Sequence, residues 1–128
     1  MFYQLQDYGP ESAIRRFNEL SLNDNDEGLK MVIAENAQVS SVVFLKQKLK
    51  EWYQYGATMQ LAQMERTDNE VRAAVLFTIP PQPDYPLGTQ WAMIWVVVRR
   101  GKSWLVDANK TATILGDTLP SLRGAQGF

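Results

Sequence analysis

Apolar side chains recur at helical spacing through residues 10–56 and at the alternating or continuous spacing of strands from residue 58 onward. Ala13, Ile14, Phe17 and Leu20 form one stripe, with Arg15, Arg16 and Glu19 off it, which predicts a first helix. Gly9-Pro10-Glu11 starts it well: proline lacks the N–H that a first helical residue cannot use, and Glu11 sits near the positive end of the helix dipole. Asn23-Asp24-Asn25-Asp26 stops this helix and offers caps for a second, about Glu27 to Asn36, with Leu29, Val32 and Ile33 as its buried positions. A third helix, capped by Ser40 or Ser41, carries Val42, Leu45, Leu49, Trp52 and Tyr53 on its buried stripe and ends at Gly56.

Strands are predicted over residues 58–66 and 70–79, joined by the polar turn Thr67-Asp68-Asn69. Four prolines between Pro80 and Gly88 remove ladder donors and make that stretch an ordered loop. Residues 89–100 form the long central strand, Arg100-Gly101-Lys102 turns it, and Ser103 to Ala108 gives a fourth strand. Thr111 to Leu115 reads as a short edge segment, and residues 1–9 and 119–128 as loose ends of a single domain spanning 1–128. Helices first and strands after, without a linker, indicate an α+β fold: three N-terminal helices on one side of an antiparallel sheet of about four strands.

The central strand is the most informative stretch. Eight apolar residues run from Trp91 to Val98 without polar interruption, so both faces of the strand are apolar. Trp91, Met93, Trp95 and Val97 share one face, and Ala92, Ile94, Val96 and Val98 share the other. The protein's own helices can cover one face. The other calls for a second cover, and a homodimer through Ala92, Ile94, Val96 and Val98 is the expectation, because the smaller, flatter set suits contact between sheets.

Composition removes whole classes of chemistry. The chain has no cysteine and no histidine, so disulfides, zinc–thiolate sites, thiolate nucleophiles and Ser-His-Asp or Cys-His hydrolysis are excluded within it. Thirteen basic against fourteen acidic residues leave no strong field toward nucleic acid or an anionic membrane. Neither a signal peptide nor an apolar run of membrane-spanning length is visible, and the cysteine-free composition fits the cytoplasm. No cofactor and no metal are implied.

Local motifs reduce to structural roles. Gly101-Lys102-Ser103 lacks the first glycine of a P-loop, Val96 standing in its place, and lies between strands. Asn23 to Gly28 resembles a calcium loop until its last position, where Ala34 replaces the bidentate glutamate, so helix capping is the better reading. Arg99, Arg100 and Lys102 at one hairpin, and Lys46, Lys48 and Lys50 on the third helix, can contact phosphate but read first as a solvated turn and a solvated helix face.

The helix ending Trp52-Tyr53-Gln54-Tyr55-Gly56, the long strand Trp91–Arg100 and the hairpin running from Arg100 to Asp107 together resemble the nuclear transport factor 2-like (cystatin-like α+β) superfamily over roughly residues 10–108. That resemblance implies a cone-shaped cavity between helices and sheet, often a dimer through the outer sheet faces, and functions that range from isomerases and dehydratases to non-catalytic binding domains. The Asp–His pair common to its catalytic members is missing here. Trp52, Tyr53, Tyr55, Trp91, Met93, Trp95 and Trp104 can line a pocket for a small apolar ligand, or else form core. Tyr53 or Tyr55 with Asp107 can serve as donor and base, in the manner of ketosteroid isomerase, if they meet in one cavity. The leading expectation is a non-catalytic dimeric binding or assembly module; an isomerase or dehydratase is the alternative. An extracytoplasmic secretion-machinery domain is a third reading, against which the native-looking Met1 weighs.

Overall fold

The computed structural model of the protein describes residues 9–83 and 86–126. Its elements follow in the order α1 (Pro10–Leu22), α2 (Asp26–Leu29), α3 (Val39–Gln54), β1 (Thr58–Thr67), β2 (Glu70–Ile79), β3 (Thr89–Arg100), β4 (Ser103–Val106) and α4 (Ala108–Gln126). The strands form one antiparallel sheet in sequence order, β1-β2-β3-β4, each joined to the next by a turn or loop. The expected α+β class, with helices against an antiparallel sheet of four strands, is the fold observed.

Side-chain alternation decides which sheet face is covered. Val71, Ala73, Val75, Phe77 and Ile79 of β2 are all buried, and the register places Val71 opposite Val97, Ala73 opposite Trp95, Val75 opposite Met93 and Phe77 opposite Trp91. This inner face packs against Ala13, Ile14 and Phe17 of α1 and Leu45, Leu49 and Trp52 of α3 in a single cluster. The Phe17 ring meets Trp95 edge-on at 5.4 Å, Trp52 meets Trp91 edge-on at 4.9 Å, and Phe77 stacks on Trp91 at 5.8 Å. Offset and edge-to-face contacts of this kind add about 0.5–1.5 kcal/mol per pair beyond the burial of area.

β1 carries a bulge that its alternation hints at. Leu61 faces Val75 and Gln63 faces Ala74, so Ala62 is the extra residue. Before it, Met59 and Leu61 lie on the inner side; after it, Met64 and Arg66 do, opposite Ala73 and Val71.

The structure corrects the sequence reading in three places. The second helix is a single turn, Asp26–Leu29, instead of Glu27 to Asn36. The residues after it add to the sheet edge: Val106 N–H donates to Val32 O at 2.8 Å, and Ala34 N–H donates to Val106 O at 2.9 Å, with Ile33 bridging Val106 in parallel. Pairing with an otherwise open edge strand outweighs the helical pattern of this short segment. The third helix begins at Val39 after Gln38, without a serine cap; Asn109 Oδ1 instead accepts from Gln38 N–H at 2.9 Å.

The third correction is the C-terminal helix. Ala108–Gln126 is helical, where Thr111 to Leu115 had suggested an edge strand and the residues after Leu119 a loose end. Asp107 supplies the N-cap, its Oδ1 accepting from Lys110 N–H at 3.1 Å. Ala108, Thr111 and Leu115 then fall on one buried helical face. β4 pairs with β3 only from Val97 to Arg100, and just beyond the end of β4 Thr111 takes over: its Oγ1 accepts from Val96 N–H at 3.0 Å. Of the expected loose ends, residues 1–8 and 127–128 lie outside the described residues.

Candidate functional site

The residues expected to line a pocket divide into three groups. Trp52, Trp91, Met93 and Trp95 are buried members of the core cluster and touch one another or Phe77 and Phe17. Trp95 is 0% exposed. The three indole rings and the Met93 side chain pack between helices and sheet. The indole N–H groups of Trp91 and Trp95, and the Ser21 hydroxyl, are buried without a protein hydrogen-bond partner among the described residues.

Tyr53 and Tyr55 form the second group, both half-buried at the end of α3. Tyr53 Oη donates to Asn18 Oδ1 at 3.3 Å, while Asn18 Nδ2 donates to Ile14 O at 2.8 Å. Burial raises the Tyr53 phenol above its ordinary value, which keeps it a neutral donor. The backbone carbonyl of Tyr55 accepts from Gln82 Nε2 at 2.8 Å, so α3 anchors the proline-rich loop. Asp107 is 7% exposed, but its described bond is the N-cap of α4. Tyr53 and Asp107 therefore engage different partners, one on α1 and the other at the start of α4.

Trp104 stands apart from the other tryptophans, half-buried at the far end of the inner face. The guanidinium carbon of Arg66 lies 5.5 Å from its ring centroid, and that of Arg99 lies 5.9 Å away. Sequence reasoning noticed Arg99, Arg100 and Lys102 but missed Arg66. The signal was the phase shift from Met59 and Leu61 to Met64, which the bulge at Ala62 produces and which carries Arg66 to the inner side.

Among the depressions at the described surface, two flank the sheet. One of about 90 Å³ lies among Ile14, Met59, Leu61, Val75 and the Glu11–Arg15 ion pair. The other, about 240 Å³, lies on the outer sheet face among Gln63, Glu65, Arg72, Ala74 and Ile94. Drug-sized ligands occupy roughly 300–1,000 Å³, so neither depression alone encloses one. Among the described residues no group of three or more acidic side chains is placed to hold a metal ion. Asp24 and Asp26, from the calcium-like stretch, bind Lys46 and Lys50 instead, and Asn25 Oδ1 caps α2 by accepting from Gly28 N–H.

The outer face is half closed by the chain itself. Val96 is 0% and Val98 8% exposed within one subunit, while Ala92 is exposed and Ile94 partly so. The register sets Ile94 beside Ala74 and Gln63, and Ala92 beside Leu76 and Gln60. An apolar centre of Ala74, Leu76, Ala92 and Ile94 is thereby bordered by Gln60, Gln63, Glu65, Arg72 and Gln90. No helix among the described residues is long and apolar enough to cross a membrane.

No protein-family model matches the chain, and no curated protein sequence matches it significantly. Among solved structures, it is similar to a crystal structure named as that of an NTF2-like transpeptidase from Campylobacter jejuni, with 13% sequence identity, a TM-score of 0.49, and coverage of 77% of this chain and 96% of that one.

Proposed function

We propose that this protein is a non-catalytic binding or assembly module that works as a homodimer through the outer face of its sheet. The observation that carries this reading is the contrast between the two faces. The inner one is filled by interlocking rings of Phe17, Trp52, Phe77, Trp91 and Trp95, whereas the outer one keeps Ala92 exposed and Ala74, Leu76 and Ile94 partly exposed. An apolar centre with a polar border is the anatomy of a protein–protein contact.

A second copy is the occupant that the charge pattern favours. In a twofold contact each residue that touches a second one is matched by the reverse contact. Glu65 and Arg72 are cross-strand neighbours on this face, so a twofold axis that runs past Ile94 and between the two would set the Glu65 of each copy toward the Arg72 of the other. No like charges need meet at the centre. A standard-sized interface buries about 1,600 Å² in total.

Sedimentation of the chain across a concentration series tests the reading. The expected result is a dimer that Ile94→Asp converts to a folded monomer, because the carboxylate lands where the partner sheet must exclude water. A chain that stays monomeric at the highest concentration, or a dimer unaffected by Ile94→Asp, overturns it.

A further inference from the structure

The end of the sheet formed by the β1–β2 and β3–β4 turns gathers unpaired cations. The turns are tied together by Arg99 N–H, which donates to Asn69 O at 2.8 Å. Arg66 and Arg99 both approach the Trp104 ring, and Arg100 and Lys102 lie in the adjoining hairpin. Elsewhere the basic side chains are largely neutralised: Arg15, Lys46, Lys48, Lys50, Arg72 and Lys110 each have a carboxylate partner. Among the described residues no carboxylate forms an ion pair with Arg66, Arg99, Arg100 or Lys102. Asp68, in the β1–β2 turn, forms none with them either.

Two guanidinium groups sharing one ring repel each other, and the negative face of the indole offsets only part of that repulsion. A guanidinium held against a ring still presents its N–H fork at the edge, where it matches the paired oxygens of a carboxylate or phosphate. Among the described residues Arg99 hydrogen-bonds through Nε alone, donating to Gly101 O at 3.0 Å, which leaves its terminal nitrogens available. The long stems of both arginines are already ordered by the ring, so less side-chain freedom is lost when a ligand arrives. The whole chain carries a net charge of −1, so this is a local feature suited to a small anion, not a field suited to a long polyanion.

We propose that Arg66, Arg99 and Trp104 form a binding site for a small oxyanion, a phosphate or carboxylate group, with Arg100 and Lys102 adding attraction from the hairpin. The site lies at the end of the inner face and does not depend on pairing through the outer one.

Titration of the full chain at low ionic strength with inorganic pyrophosphate and, separately, with citrate tests the site, read by calorimetry and by the Trp104 indole N–H resonance. Saturable binding of at least one anion with a shift of that resonance is expected. Arg66→Gln and Arg99→Gln should each weaken it about tenfold or more, the worth of a charge-assisted hydrogen bond. Arg66→Lys, which keeps the charge but loses the fork, should weaken it less than Arg66→Gln and more than not at all. Arg15→Gln, beside Met59 and Leu61 at the opposite end of β1 from Arg66, should leave it unchanged. Tighter binding of pyrophosphate identifies a phosphate ligand, and tighter binding of citrate a carboxylate. No saturation by either anion up to about 10 mM, or equal weakening by Arg15→Gln and Arg66→Gln, overturns the proposal. So does binding confined to a single-stranded oligonucleotide. The three side chains changed, Arg66, Arg99 and Arg15, are exposed, and near-UV circular dichroism checks that each variant keeps its fold.

Discussion

Lys110 Nζ donates to Glu70 Oε1 at 2.8 Å across 40 residues of sequence, and this bond closes the first turn of α4 over the outer face of the sheet. Glu70 stands opposite Val98 and Arg72 opposite Val96, and Arg72 Nε donates to Glu70 Oε2 at 3.2 Å. The three charged side chains thus border the valines that the sequence left bare, which accounts for the burial of Val96 and Val98 within one subunit. The hydrogen bond from Lys110, with a further contribution from Arg72, holds the Glu70 carboxyl below the usual carboxylate range.

A depressed carboxylate stabilises the fold above its unfolded value, and that stabilisation is lost as pH falls through the folded value. Thermal stability should therefore decline below about pH 4.3, and Glu70→Gln should flatten that part of the pH profile. Lys110→Met should cost about 0.5–1 kcal/mol at neutral pH, the worth of a surface ion pair with good geometry. Denaturant titrations at a series of pH values check both effects, and an acid limb unchanged in Glu70→Gln would refute the assignment.

Asp24 ends α1 in the left-handed conformation, with φ at 54°. Asn25 N–H donates to Leu20 O at 2.9 Å and Asp24 N–H to Ser21 O at 3.2 Å, the bond pattern that closes a helix around a left-handed residue. Its carboxylate also receives Lys46 and Lys50 from α3, and their hydrogen bonds lower its proton affinity, Lys50 most. The backbone and the charge make opposite demands on a substitution. Melting temperatures should fall in the order wild type or Asp24→Gly, then Asp24→Asn, then Asp24→Val, because glycine relieves the strain that a β-branched residue aggravates. Added salt should narrow the gap between wild type and Asp24→Asn, since the ion pairs are exposed.

Tyr53→Phe removes the hydrogen bond to Asn18 but little volume. The Asn18 side chain is buried and keeps its bond to Ile14 O, so the cost should be about 1 kcal/mol. Ultraviolet titration of the wild type should show a step above the ordinary phenol value, from Tyr53. Because the raised group is neutral in the fold, its contribution is intact below about pH 10 and is lost as pH rises through the higher folded value. The Tyr53→Phe variant should lack that late step and lose stability less steeply in alkali.

The sequence disclosed most elements whose pattern repeats over several turns or residues. The stripe of Leu45, Leu49 and Trp52, the alternation of Val71 to Ile79 and the two-sided strand from Trp91 to Val98 all fold as their spacing implies. What stayed hidden depended on contacts distant in the chain. Val32 and Ala34 look helical until Val106 offers an edge to pair with, and Thr111 looks like a strand residue until its hydroxyl meets Val96 N–H. The meeting of Arg66 with Trp104 was equally out of reach, since it needs both the bulge and the register of β1 against β2. Tyr53 and Asp107 were paired on chemistry alone, and their geometry follows from separate duties to α1 and α4.

The bulge at Ala62 makes two deletions of one residue diverge. Without Ala62, Leu61 still faces Val75, Gln63 still faces Ala74 and Met64 still faces Ala73, so the ladder becomes regular and every side chain keeps its face. Without Glu65, a one-residue slip moves Arg66 opposite Arg72, on the outer side with a like charge beside it, and away from Trp104. Deleting Ala62 should therefore cost less than about 2 kcal/mol, within the range of ordinary single changes. Deleting Glu65 should cost more and abolish the ring-current shift that Trp104 imposes on the Arg66 side chain. Denaturant melts and the Arg66 side-chain resonances separate the two cases, and equal losses in both variants would show that the extra residue does not set the faces of β1.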